Sequence, residues 1–206
     1  MKRALAILLI LLMLCPLAAC GRKGAAPVAL GGWTLTESGE IGEAAQAAFD
    51  KAMDGLVGVG YTPLALLGTQ LVSGTNYCFL CEALGVYPGA QPYYALVYVY
   101  ADLQGGAELS RIAALDIGRI AESGRVEEAQ PDSGALLGGW RVDRESRVEA
   151  EDAVLHLASQ MVSGTNHCLL CKGWSLAFVY EDLTGMTALS KRVTLDIAAL
   201  SQPAAA

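Results

Sequence analysis

Histidine occurs only twice in this 206-residue chain, phenylalanine three times, and basic residues number 14 against 21 acidic ones. Each scarcity removes a class of function. Neither His156 nor His167 belongs to a recurring Ser-His-Asp or Cys-His arrangement, and no glycine-rich loop follows a strand and opens a helix. The chain therefore reads as non-enzymatic, with no cofactor expected. The excess of acid speaks against nucleic acid as a partner. Beyond the first twenty residues no apolar run approaches the roughly 20 residues that cross a bilayer.

The chain begins with what reads as an address. Lys2 and Arg3 precede the uncharged apolar run Ala4 to Leu14, which ends in small residues, the pattern of a secretory signal peptide over 1–19. Leu17, Ala18, Ala19 and Cys20 resemble the lipobox of bacterial lipoproteins. That resemblance implies a lipidated (palmitate-bearing) Cys20 and a lipid anchor on the extracytoplasmic face of the cell membrane or outer membrane. Removing 1–19 deletes Lys2 and Arg3 but no acid, which takes the formal charge from -7 to -9. Residues 20–30 are small and suit a tether, so folded structure is expected from about Gly31.

An internal duplication organises the rest. GGW at 31–33 recurs at 138–140, and VSGTNYCFLC at 72–81 agrees with VSGTNHCLLC at 162–171 in eight of ten positions. The stretch 99–117 matches 179–197 in ten of nineteen. In the first copy Ile41, Ala45, Ala48, Phe49, Ala52, Met53 and Leu56 recur at helical spacing. Four apolar or β-rich runs follow, Thr62 to Gln70, Thr75 to Ala83, Tyr93 to Tyr100 and Glu108 to Ile117, separated by turn residues. Short connections favour antiparallel pairing, and one helix can cover one face of such a sheet, giving an α+β layer. We place repeat 1 at 31–118, a polar linker at 119–137, repeat 2 at 138–198 and a tail at 199–206. The second copy has only Arg141 to Asp152 where the first has its helix, so a shortened helix of two or three turns is expected, followed by a strand from Ala153. Asp116 and Asp196 read as solvated strand ends.

The order of glycine pair, helix, strand, then Gln70, Leu71, Val72, Ser73 and Gly74 leading into Thr75, Asn76 and Tyr77, resembles the QxVxG hairpin of cystatins, protein inhibitors of papain-like cysteine proteases. The second copy carries the pattern at Gln160, Met161, Val162, Ser163 and Gly164. The resemblance implies an antiparallel sheet packed on one helix, here duplicated. It also implies a wedge that fills a protease cleft: Gly31 or Gly32, the loop Gln70 to Gly74, and a second turn at Asp102, Leu103, Gln104, Gly105 and Gly106. Many cystatins carry Pro-Trp at that second turn, whereas this chain does not, and Asp182, Leu183, Thr184 and Gly185 stand there in the second copy. The implied partner is a papain-like protease or another envelope or host protein. A non-inhibitory surface-binding or scaffolding lipoprotein is the competing reading, in which Gln, Val, Gly and Asn simply build a turn.

Cys78 and Cys81, with Cys168 and Cys171, form two CxxC pairs. Zinc sites use such spacing on turns, but here each pair falls inside an expected strand, where residues three apart face opposite sides. Their Cα atoms would lie about 10 Å apart, beyond disulfide reach. Disulfides across strands or between repeats, and buried free thiols, both remain open. His167, beside Cys168, is a conceivable ligand, while His156 reads as solvent-facing or hydrogen-bonded.

Overall fold

The computed structural model of the chain describes residues 31–126, 139–148 and 150–202. The signal-peptide and lipidation readings at 1–30, including Cys20, lie outside them, as do 127–137 of the linker, Gly138 at the start of repeat 2 and the last four residues. The fold is mostly β with some helix. Strands β1 (Trp33–Leu35), β2 (Val59–Val72), β3 (Gly74–Gly85), β4 (Tyr93–Ala101) and β5 (Ala107–Leu115) form one antiparallel five-stranded sheet in sequence order. Strands β6 (Arg141–Val142), β7 (Ala153–Val162), β8 (Gly164–Cys171), β9 (Ser175–Glu181) and β10 (Thr187–Thr194) form a second. Among the described residues no helix is long and apolar enough to cross a membrane.

Helix α1 (Glu43–Met53) is rich in alanine, the residue that loses least on becoming helical. Its face of Ala45, Ala48 and Phe49 is buried on the outer side of the first sheet, where Phe49 meets Phe79 edge-on at 5.1 Å between ring centres. The inner sides of the two sheets face each other. Leu67, Leu80 and Leu96 from the first belong to one apolar core with Leu157, Leu170 and Leu176 from the second. The two copies therefore share a single interior.

Two buried tyrosines show how the copies are set. Tyr98 lies nearer the β2–β3 turn than Tyr94 does. Its hydroxyl donates to the Ile197 carbonyl at 3.0 Å, past the end of β10, while Tyr94 donates to Leu157 in β7 at 2.7 Å. Moving toward the turn of the first sheet is thus moving away from the β7–β8 turn of the second. The two turns lie at opposite ends of the sandwich, and at about 3.3 Å per residue they are separated by roughly 40 Å.

Three expectations need correction. Ile117 opens a short helix, α2 (Ile117–Ser123), instead of ending a strand, and α3 (Ile197–Leu200) is its counterpart after repeat 2. Asp116 and Asp196 are their N-caps, accepting from the amides of Arg119 and Ala199 at 3.0 Å each, and Asp116 is buried. Each short helix reaches across to the other copy: Arg111 donates to the Leu200 carbonyl at 2.9 Å, and Lys191 to those of Ala121 and Glu122. Thirdly, the described residues of 141–152 hold no helix. The Asp143 carboxylate accepts from the amides of Glu145 and Ser146 at 3.1 Å, a local turn that competes with helical pairing.

Candidate functional site

The registers bring the sequence-derived wedge residues together. Thr75 pairs with Ala101, which sets the turn at Ser73 beside the turn from Asp102 to Gly106. Gly31 joins them on the other flank, its amide donating to the Leu71 carbonyl at 3.2 Å, and Gly32 leads into β1. In the second copy Thr165 pairs with Glu181, so the turn at Ser163 stands beside the one from Asp182 to Met186.

Most conserved letters of the duplicated stretch have an internal task in this structure. The Gln70 side chain donates to the Gly31 carbonyl at 2.9 Å and accepts from the Asn76 amide at 2.7 Å, clamping the N-terminal segment to the hairpin. Asn166 and Gln160 repeat the second contact at 2.7 Å. Gly74 has φ +148°, and a Cβ there would lie 2.4 Å from the Ala101 carbonyl oxygen and 2.7 Å from the Tyr100 ring. Tyr100 crosses this glycine to donate to the Ser73 carbonyl at 2.8 Å, and Tyr180 does the same to Ser163 over Gly164. The second turns are held by aspartate: Asp102 accepts from the amides of Gln104 and Gly106 at 2.7 and 2.8 Å. Asp182 accepts from the Thr184 hydroxyl and amide and the Met186 amide, which hold its carboxyl below the usual range.

What the fold leaves unused is apolar. Leu71 and Val72 are each 42% exposed, Met161 87% and Val162 52%, with Leu103 and Leu183 open on the neighbouring turns. Each end of the sandwich thus presents a compact hydrophobic tip on a rigid hairpin.

The cysteines lie elsewhere. Cys78 and Cys168 point into the shared core, while Cys81 and Cys171 face the outer sides of their sheets. All four are free buried thiols. Burial pushes each of them up, Cys171 to about 11. Among the described residues no group of three or more His, Cys, Asp and Glu is placed to hold a metal ion.

The histidines form a relay that the sequence did not disclose. His156 Nδ1 contacts the Asp143 carbonyl, His156 Nε2 is 3.0 Å from His167 Nδ1, and His167 Nε2 is 3.0 Å from a Glu181 carboxylate oxygen. The two rings and the carboxylate thus form one continuous chain of polar contacts from the Asp143 carbonyl to Glu181. Burial, the largest influence, draws His167 below the ordinary histidine value, while its bond to Glu181 works upward. Only the pairing of β7 with β8 and of β8 with β9 brings these side chains together. No protein-family model, curated protein or solved structure matches this chain.

Proposed function

We propose that this chain is a membrane-tethered, cystatin-like inhibitor of papain-like cysteine proteases that acts through its hairpin tips. One observation carries the reading: Gly31, the Gln70 to Gly74 loop and the Asp102 to Gly105 turn meet at one end of a sheet with Leu71 and Val72 exposed. A tip of this kind can enter a cleft and block it without being cut, because a hairpin braced by its own hydrogen bonds presents a closed turn to the enzyme's thiolate in place of an extended scissile segment. Opposed tips would let one chain occupy two enzymes without collision. The test is reversible slowing of a papain-like enzyme by the full chain. Val72→Asp combined with Val162→Asp forces a charge into the apolar cleft at either tip and should weaken inhibition about a hundredfold, with little loss of folding because both valines are exposed. No inhibition at micromolar concentration against several such enzymes would end this reading.

A second reading, a non-inhibitory surface-binding or scaffolding lipoprotein, is favoured by the internal roles of Gln70, Gly74 and Asn76. A motif whose polar letters and glycine are needed by the hairpin itself can persist in a duplicate without any protease. The anchor reading rests on Leu17 to Cys20 alone.

A further inference from the structure

The outer face of each sheet has a cover, and the two covers are held by different means. In repeat 1, Leu66, Tyr77 and Ala101 lie in the apolar cluster under α1. At the repeat offsets those positions are His156, His167 and Glu181. In repeat 2 the cover is the segment from Asp143 to Asp152, whose Val148 and Ala150 pack on the cluster of Leu169, Cys171, Ala177 and Val179. The Asp143 amide donates to the Leu157 carbonyl at 2.9 Å, and Asp152 accepts from Arg192 at 2.6 Å. The chain of contacts from the Asp143 carbonyl through His156 and His167 to Glu181 fastens that segment across β7, β8 and β9. His167, in the middle of it, is 2% exposed.

We propose that these contacts form an acid-released latch, which holds the 143–152 segment on the second sheet at neutral pH and lets it lift as both histidines charge. In whichever tautomers the rings stand, three contacts have room for three protons, whereas two imidazolium rings carry four. The fourth N–H would face another N–H across the 3.0 Å between His156 Nε2 and His167 Nδ1. Once the segment lifts, both rings reach water and each takes its own proton. Opening in acid therefore binds at least one proton more than the closed latch holds. The Glu181 carboxylate from β9 and the Asp143 carboxylate from the segment favour charge on the pair, but neither removes that limit. Ser159 on β7 and Leu169 on β8 are uncharged neighbours, Arg144 is paired with Glu82 at 3.4 Å, and Glu145, Arg147 and Glu151 are exposed. Burial draws His167 below the ordinary histidine value against the upward pull of Glu181, in the direction the proton count requires. The closed latch is thus firm above about pH 6.5 and weakens as pH falls below it, with opening rising up to tenfold per pH unit for each extra proton. The carboxyls of Asp143 and Asp152 release the segment only below 3.8, a separate and lower range.

The test is amide hydrogen exchange of the full chain from about pH 7.5 to 5, corrected for the pH dependence of exchange itself. Beside it, NMR follows the ring C–H signals of the chain's two histidines. Opening of 143–152 should rise about tenfold or more over that range, while α1, which covers repeat 1 through apolar contacts, stays unchanged. The double variant His156→Leu, His167→Tyr installs the residues of repeat 1 and should abolish the rise. Exchange of 143–152 that does not depend on pH, or that rises equally in α1, overturns the proposal, as does a rise that the double variant retains. If that variant does not fold, the parent decides: both rings charging near pH 6.5 while 143–152 stays protected overturns the latch, and protection lost together with the second charge supports it.

Discussion

Replacing Gly74 by alanine separates a glycine that the fold needs from one kept for a partner. The added methyl would sit 2.4 Å from the Ala101 carbonyl oxygen, 2.7 Å from a Tyr100 ring carbon and 2.9 Å from its hydroxyl. The half-exposed Tyr100 ring can swing away, at the loss of its bond to Ser73, but Ala101 is backbone paired with Thr75 of β3 on one side and Ala107 of β5 on the other, and cannot. The residue at 74 must also keep φ +148°, which side chains avoid. Overpacking and backbone strain together cost about 3 kcal/mol. For a domain of this size that lowers the melting temperature by roughly 6 to 12 °C. Gly164→Ala, with its Cβ 2.5 Å from the Glu181 carbonyl, should behave alike. Calorimetry on each variant beside Ser73→Ala gives the comparison. A Gly74→Ala protein that melts within about 1 °C of the parent would refute the reasoning and return the glycine to partner contact.

Other outcomes follow from the shared core and the local charges. Tyr94→Phe removes a buried hydroxyl that bridges the copies and should cost about 1 kcal/mol while unfolding stays a single transition; two separate transitions would contradict one common interior. Cys78 and Cys168, fully buried in the core, should resist alkylation in the native protein and react on unfolding, and rapid native labelling of either would count against their placement. Asp143 is partly buried, which works upward, yet the Ser146 and Glu145 amides and Ser159 hold it low, and Arg192 holds Asp152 low. Both carboxyls bind fewer protons folded than unfolded, so their stabilisation is present above the unfolded value of 3.8 and is lost as pH falls through the folded values. Hydrogen exchange at acid pH should loosen 143–152 before the core, and uniform loosening would refute the assignment.

The hairpins and α1 were legible because their apolar residues recur at the spacing of one element and their turns carry glycine or aspartate. The stretch 141–152 misled because its charged residues permit a helix, while Asp143 captures the amides that a helix would use. Strand β1 was too short to show a period, and α2 and α3 hide behind aspartates that look like ordinary strand ends. The tip residues could be named from the repeated QxVSG pattern, but the reason for Gly74 lies in Tyr100, which only the β3–β4 register places across it. The His156, His167 and Glu181 relay needs two separate registers, and neither is written in the local sequence.

The most direct test of the proposed tips is binding stoichiometry with a catalytically inactive papain-like protease, measured by isothermal titration with the full chain. Two enzymes per chain are expected for the parent, one for Val72→Asp, one for Val162→Asp, and none for the double variant. Failure to bind, or a stoichiometry that neither substitution alters, would contradict it.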